Sequence, residues 1–231
     1  MKKKILFVAS EFASGMIPFA ASVINTLSEN AYFDVYCVCV NSGKKTYMPY
    51  INTDAKPVFV EYPSQKWKKI IYKFWPFSII NSIKKVRKEH EIDTIHFLTG
   101  DFTLANFIRF LNPSEVCYTV HDMFPHEVQN FSIISPLKKW MINHGYKICR
   151  DHSQNLTTSS RMQYNVLKNL YPRKNISFTN FPTLVTKFIA DGTSCPPEIE
   201  HEQSYILFFG NVVDYKGVDV LISAFKIIQK D

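Results

Sequence analysis

Glycine is scarce in this 231-residue sequence, at seven residues. Neither G-x-G-x-x-G nor G-x-x-x-x-G-K-[ST] occurs, which excludes the dinucleotide fingerprint and the Walker loop. The five cysteines (Cys37, Cys39, Cys117, Cys149 and Cys195) are an odd number without C-x-x-C spacing. That argues against a disulfide scaffold and a zinc site, and for buried free thiols in a reducing compartment. Cys37 and Cys39 lie two apart in an apolar run, where a strand turns both to one face. No stretch offers the ~18 uninterrupted apolar residues of a membrane span. The start, three lysines and then apolar residues 5–9, looks briefly like a secretion signal. Glu11 cuts it short of the roughly 7–15 apolar residues such a signal needs, so a cytoplasmic protein is expected. Acidic side chains are almost missing from residues 64–90. Eight Lys and Arg stand there against Glu89 alone, a local charge equal to the +7 of the whole chain. A patch of this kind implies a local anionic partner more strongly than a uniform excess would.

Apolar and aromatic side chains are plentiful, at 46% and 15% of residues, which excludes disorder. The length has room for one large domain, or one domain and part of a second. Short β-rich runs alternate with helical patterns. Strands are expected at 4–10, 33–40, 57–61, 94–98, 116–120, 155–158 and 176–179. Helices are expected at 17–27, 67–75, 77–90, 102–111, 135–149 and 161–170, with Pro76 breaking the second from the third. This is the pattern of a doubly wound, mostly parallel α/β sheet with right-handed connections. A turn-rich, helix-hostile stretch around Asp191–Glu198 marks a linker, set at 189–203. Beyond it a strand at 205–209 and a helix at 217–229 begin a second domain, placed at 204–231. One strand and one helix cannot enclose a core, so that domain is expected to be incomplete.

The joint reads Phe208-Phe209-Gly210-Asn211-Val212-Val213-Asp214-Tyr215-Lys216-Gly217, followed by Asp219-Val220-Leu221-Ile222-Ser223-Ala224-Phe225. A strand ending in Gly, a short loop with a Lys and a second Gly before a helix gather backbone N–H groups, a positive helix end and an ammonium. Phosphate suits such a place; a merely structural turn with Lys216 in solvent is the other reading. The segment resembles the opening of the nucleotide-sugar domain of glycosyltransferase family 4, with its F-x-G-R-x-x-x-x-K-G and D-x-L-I-x-A-F patterns. The resemblance implies donor-diphosphate binding by Gly210, residue 211 and Lys216. Asn211 stands where the family has Arg, which removes one charge and its bidentate contact.

A second match is Tyr118-Thr119-Val120-His121-Asp122-Met123-Phe124-Pro125, similar to the family's T-x-H-D-x-x-P at a strand end. The resemblance gives His121 a role at the donor sugar or acceptor near the reacting centre; a histidine capping the following turn is the plain reading. Metal binding by His121, Asp122, His126 and Glu127 is not expected, because they share a proline-containing loop without helical pairing. In the first strand-to-helix loop the family usually has Gly-Gly. Only Gly15 is present, and it reads equally as a phosphate approach or as a simple helix start. In 67–75, Trp67, Ile70, Ile71, Phe74 and Trp75 share a helical face, with Lys68, Lys69 and Lys73 opposite. Such a helix suits an anionic membrane surface, or else packs on the sheet with its lysines solvated. The family's habit of using lipid-linked acceptors favours the membrane.

In sum the resemblance implies a GT-B protein, with residues 1–188 as a Rossmann-like acceptor-side domain and sugar transfer that retains anomeric configuration. It implies a nucleotide-diphosphate sugar as co-substrate, no cofactor, a glycan or lipid-linked acceptor, and a role in surface polysaccharide assembly. The family's E-x(7)-E carboxylates are not among these residues, so no transferase activity is expected of the 231-residue chain alone. A non-catalytic acceptor- or membrane-binding module, half of a split enzyme, or another GT-B enzyme such as an epimerase are the alternatives. The basic segment belongs to no nucleic-acid motif, and no nucleic-acid partner is expected.

Overall fold

The lysine-led run at the start of the chain becomes β1 (Lys3–Ala9), and its alternate side chains enter two different cores. Leu6 and Val8 face one side of the sheet, Phe7 and Ala9 the other, which is why the run is apolar throughout. β2 (Phe33–Asn41) repeats this: Tyr36, Val38 and Val40 join the first core, Val35, Cys37 and Cys39 the second. The two cysteines share a buried face, as the sequence implied, and Cys117 and Cys149 are buried free thiols too. The structure, a computed structural model, describes residues 2–11, 15–43, 45–99, 103–123, 135–184, 206, 208, 212 and 216–228. By internal contacts it separates into Met1–Gly192 and Thr193–Asp231.

Within the first unit, α1 (Met16–Ser28), β3 (Pro57–Glu61), α2 (Lys66–Phe74), α3 (Phe77–His90), β4 (Thr94–Phe97) and α4 (Ala105–Ile108) follow β2. Then come β5 (Val116–Thr119), α5 (Ser135–His152), β6 (Asn155–Thr158), α6 (Arg161–Leu170) and β7 (Asn175–Phe178). The strands form one seven-stranded parallel sheet in the order β3-β2-β1-β4-β5-β6-β7. From β1 to β3 the chain steps one way across the sheet, and α1 with Tyr47, Ile51 and Ala55 covers one face. It then crosses back and steps the other way, and α3, α4, α5 and α6 pack on the opposite face. Right-handed crossovers require this change of face whenever the direction of winding changes.

The break between α2 and α3 falls at Pro76, with Trp75 extended ahead of it (φ −150°, ψ 92°). The helix expected at 102–111 is described only over Ala105–Ile108. Beyond it the chain tightens into turns, and Asn112 caps a 3₁₀ turn at Pro113–Glu115 through the Ser114 N–H. The irregular stretch expected before α5 lies outside the described residues from 124 on, as does most of 205–209. In the second unit the expected helix is present as α7 (Val218–Ile228), preceded by Gly217 at φ +60°. That left-handed conformation suits glycine, which explains the residue type without a ligand.

The C-terminal carbonyls of α5 are gathered by one cation. Lys174 Nζ donates to the carbonyls of Arg150, Asp151 and Ser153 at 2.8, 2.6 and 2.6 Å, using all three ammonium protons. Lys174→Met keeps the stem and removes the donors. It should cost about 1–3 kcal/mol and show as a lowered midpoint in thermal or urea unfolding.

Candidate functional site

β1 and β4 are neighbours, but the chain goes on from them to strands on opposite sides, β1 to β2 and β4 to β5. This is the switch point of an open parallel sheet, where a crevice forms outside the carboxyl ends of the strands. The side chains there are tied together. Thr99, just past β4, accepts the backbone N–H groups of Ser10 at 2.9 Å and Glu11 at 3.0 Å. Tyr47, fully buried, donates its hydroxyl to the Glu11 carbonyl and its backbone N–H to Asn41 Oδ1 at 2.8 Å. Burial holds the Tyr47 phenol protonated, well above its ordinary range, so it remains a donor. The start of the β1–α1 loop is thus clamped from two sides.

His121 follows β5 at the same edge. Its Nε2 lies 2.7 Å from the Leu98 carbonyl, and because a carbonyl only accepts, Nε2 carries the hydrogen. In the neutral ring the lone pair is therefore on Nδ1. Burial lowers the pKa of His121, against opposing pulls from the Leu98 carbonyl and Asp122, which favours the neutral ring. Phe19 of α1 meets the imidazole edge-on at 4.7 Å and itself touches Phe181 at 5.5 Å. Gln163 of α6 donates to the His121 carbonyl at 2.8 Å, fixing the backbone as well as the ring. A neutral imidazole held this way can accept a hydrogen bond or a proton from a hydroxyl at Nδ1.

Further into the sheet lies a polar line. His96 Nε2 is 2.8 Å from Thr119 Oγ1, which is 3.0 Å from Thr157 Oγ1, across β4, β5 and β6. His96 keeps a little exposed surface, but burial and the nearby His121 push its pKa down to about 4. Sequence reasoning did not single out Thr99, Tyr47, Phe19 or His96. Thr99 carried a signal in hindsight, as a polar residue directly after a buried strand; the others read as ordinary core.

Gly15 caps α1 with φ −83°, and among the described residues none lies within 4 Å of where a Cβ would stand. Neither its conformation nor the described packing demands glycine there. Gly210 and Asn211 lie outside the described residues. Lys216 sits in a 3₁₀ turn before Gly217 and α7, in the second unit. Among the described residues no group of three or more His, Cys, Asp or Glu could hold a metal ion.

The basic segment forms α2, and its apolar face is not packed away. Trp67, Ile70, Ile71 and Phe74 are 59%, 58%, 48% and 61% exposed, and Tyr72 is the one residue of the helix that is buried. Trp75 and Phe77 continue the exposed strip. The reading of an amphipathic helix packed on the sheet through these residues does not hold. Among the described residues no helix is long and apolar enough to cross a membrane.

No protein-family model matches the sequence, and no curated protein does. Solved structures do match by fold. One is a UGT transferase from Siraitia grosvenorii in complex with UDP, with a TM-score of 0.52 and 7% identity, over 82% of this chain and 54% of that one. Another is Phytolacca americana UGT2 complexed with UDP-2-fluoro-glucose and pterostilbene, with a TM-score of 0.51 and 8% identity, over 81% and 55%. The fold is of the GT-B type. The chain spans about half the length of these structures.

Two predictions follow from the clamp and the polar line. Thr99→Val keeps the shape but leaves the N–H groups of Ser10 and Glu11 without their acceptor. It should cost about 1–3 kcal/mol and speed amide exchange at residues 10 and 11 selectively. Above pH ~6.5 His96 is neutral in both the folded and the unfolded chain, and its titration costs the fold nothing. Between pH ~6.5 and about 4 the unfolded chain takes up the proton and the folded one does not, so stability falls with pH. The loss is up to about 3 kcal/mol. Urea unfolding at pH 7.5 and 4.5 should show it in the wild type and much less of it in His96→Asn.

Proposed function

We propose that the protein is a glycosyltransferase of GT-B type that uses a nucleotide-diphosphate sugar, with residues 1–188 forming its acceptor-side domain. The observation that carries this is the neutral His121, fixed at the carboxyl edge beside the β1–β4 switch point with Nδ1 as its lone-pair nitrogen. Two fold neighbours are in complex with UDP and with UDP-2-fluoro-glucose, which supports a nucleotide-sugar donor. The Lys216-Gly217 turn before α7 supports phosphate contact in the second domain, and the family 4 resemblance supports retention of configuration. In this reading His121 contacts a hydroxyl of the sugar near the reacting centre, Lys216 offsets charge on the leaving diphosphate, and Gly210 and Asn211 complete that cradle.

The exposed apolar face of α2, with Lys68, Lys69 and Lys73 beside it, supports docking on an anionic membrane. A lipid-linked acceptor at the inner face of the cell membrane, in surface polysaccharide assembly, is consistent with this. The same observation favours one alternative: a non-catalytic membrane-binding module, or half of a split enzyme.

Transfer of radiolabelled sugar from UDP-, GDP- and ADP-sugars into a membrane lipid extract tests the reading, with the chain alone and with a GT-B C-terminal half supplied separately. Transfer that His121→Ala lowers by roughly 10²–10⁴-fold, with unfolding unchanged, is the expected result. Transfer indifferent to that substitution removes His121 from the chemistry. No transfer and no donor binding in either format leaves the non-catalytic module.

A further inference from the structure

α2, α4 and α5 enclose a pocket of about 230 Å³ on the face of the sheet that α3 to α6 cover. Its walls include Lys73 and Phe74 of α2, Asn106 of α4, and Trp140, Met141 and His144 of α5. Trp140 and His144, one turn apart, stack almost parallel, with centroids 5.1 Å apart and 6° between planes. They make a flat wall, and both Trp140 and Phe74 are 61% exposed. Among the described residues no carboxylate lines the pocket.

This lining discriminates between ligand classes. A polyol could use the Asn106 and Thr103 oxygens as acceptors but would give the Lys73 ammonium no anionic partner. A small inorganic anion would gain nothing from Phe74, Trp140 and Met141. A molecule with an anionic head and an apolar body uses both: Lys73, Asn106 and His144 supply donors, and the aromatic and thioether groups supply contact area. The surroundings indicate the source. Phe74 belongs at once to the pocket and to the exposed strip of Trp67, Ile70 and Ile71 on α2, so the pocket opens beside the surface that would lie in a headgroup layer.

We propose that this pocket takes one phosphate-bearing amphiphile from the bilayer, its head between Lys73, Asn106 and His144 and its hydrocarbon part on Phe74, Met141 and Trp140. The source in the bilayer rests on the membrane reading of α2; the ligand class rests on the lining alone.

Titration calorimetry with decyl phosphate below its micelle concentration, beside decanol and inorganic phosphate, tests the pocket without vesicles. Decyl phosphate should bind, and the two controls should bind more weakly by roughly tenfold or more. Trp140→Ala and Lys73→Met should each weaken decyl phosphate by a similar factor, whereas Trp67→Ala combined with Lys68→Glu should not. Those last two substitutions should instead abolish co-sedimentation with phosphatidylglycerol vesicles. Decyl phosphate that fails to bind, binds no better than decanol, or binds the Trp140→Ala protein unchanged overturns the proposal. If vesicles bind and decyl phosphate does not, the pocket fails while the membrane reading of α2 stands. If decyl phosphate binds and vesicles do not, the bilayer is overturned as its source.

Discussion

Everything at the functional edge of this protein depends on the reversal of winding between β1 and β4. A parallel sheet with right-handed crossovers must change the face it covers when the chain changes direction. It does so here after β3, sending α2 and α3 back across to β4. The two central strands then release their chains to opposite sides. A crevice at such a switch point is a consequence of topology and requires no special residue. What the side chains add is rigidity. Thr99 is bonded to the first two residues after β1, Tyr47 holds the second of them from α1's side of the sheet, and Leu98 orients His121.

The polar line of His96, Thr119 and Thr157 makes sense against this frame. On the α3–α6 face the same strands contribute Ile95, Phe97, Tyr118 and Leu156, an ordinary apolar core. On the opposite face the apolar cluster is built on β1 and β2, while β4 to β6 present an imidazole and two hydroxyls. A buried hydroxyl or imidazole without a partner costs several kcal/mol, but in a row across adjacent strands each group is the partner of the next. The row also sets the electrostatics of the edge. Desolvation lowers the pKa of both histidines, and the nearby His121 lowers that of His96 further, which favours the neutral rings.

Period and punctuation made most of the fold legible. Apolar runs of four to nine residues bounded by turns became strands within a residue or two, and Pro76 broke α2 from α3 where its missing N–H required. The expected helix at 102–111 shrank because residues 109–115 carry turn chemistry, Asn112 and Pro113, that competes with helix continuation. Of the site, His121 was legible because it sits in a pattern at a strand end. Thr99 and Tyr47 were not, because their roles arise from contacts 88 and 36 residues away in sequence. Nor could helical spacing say whether the apolar stripe of α2 faced the sheet. Spacing shows that a stripe exists; only the packing shows that it is left about half exposed.

The position of α2 follows from the same reversal. α3 ends close to the amino edge of the sheet, where Asp93 accepts the Lys4 N–H at 2.9 Å and Glu91 pairs with the Lys4 ammonium at 3.8 Å. At about 1.5 Å per residue its fourteen residues carry its other end back to the carboxyl edge. Trp75 and Pro76 therefore hand the chain from α2 to α3 on the edge that also bears His121 and the β1–α1 loop. An exposed strip of tryptophan, isoleucine and phenylalanine has a solvation cost that a watery surface would not repay. Placed at this edge, the strip runs through Phe74 into the pocket beside Trp140. The reversal of winding that opens the crevice thus also brings this exposed strip to the carboxyl edge.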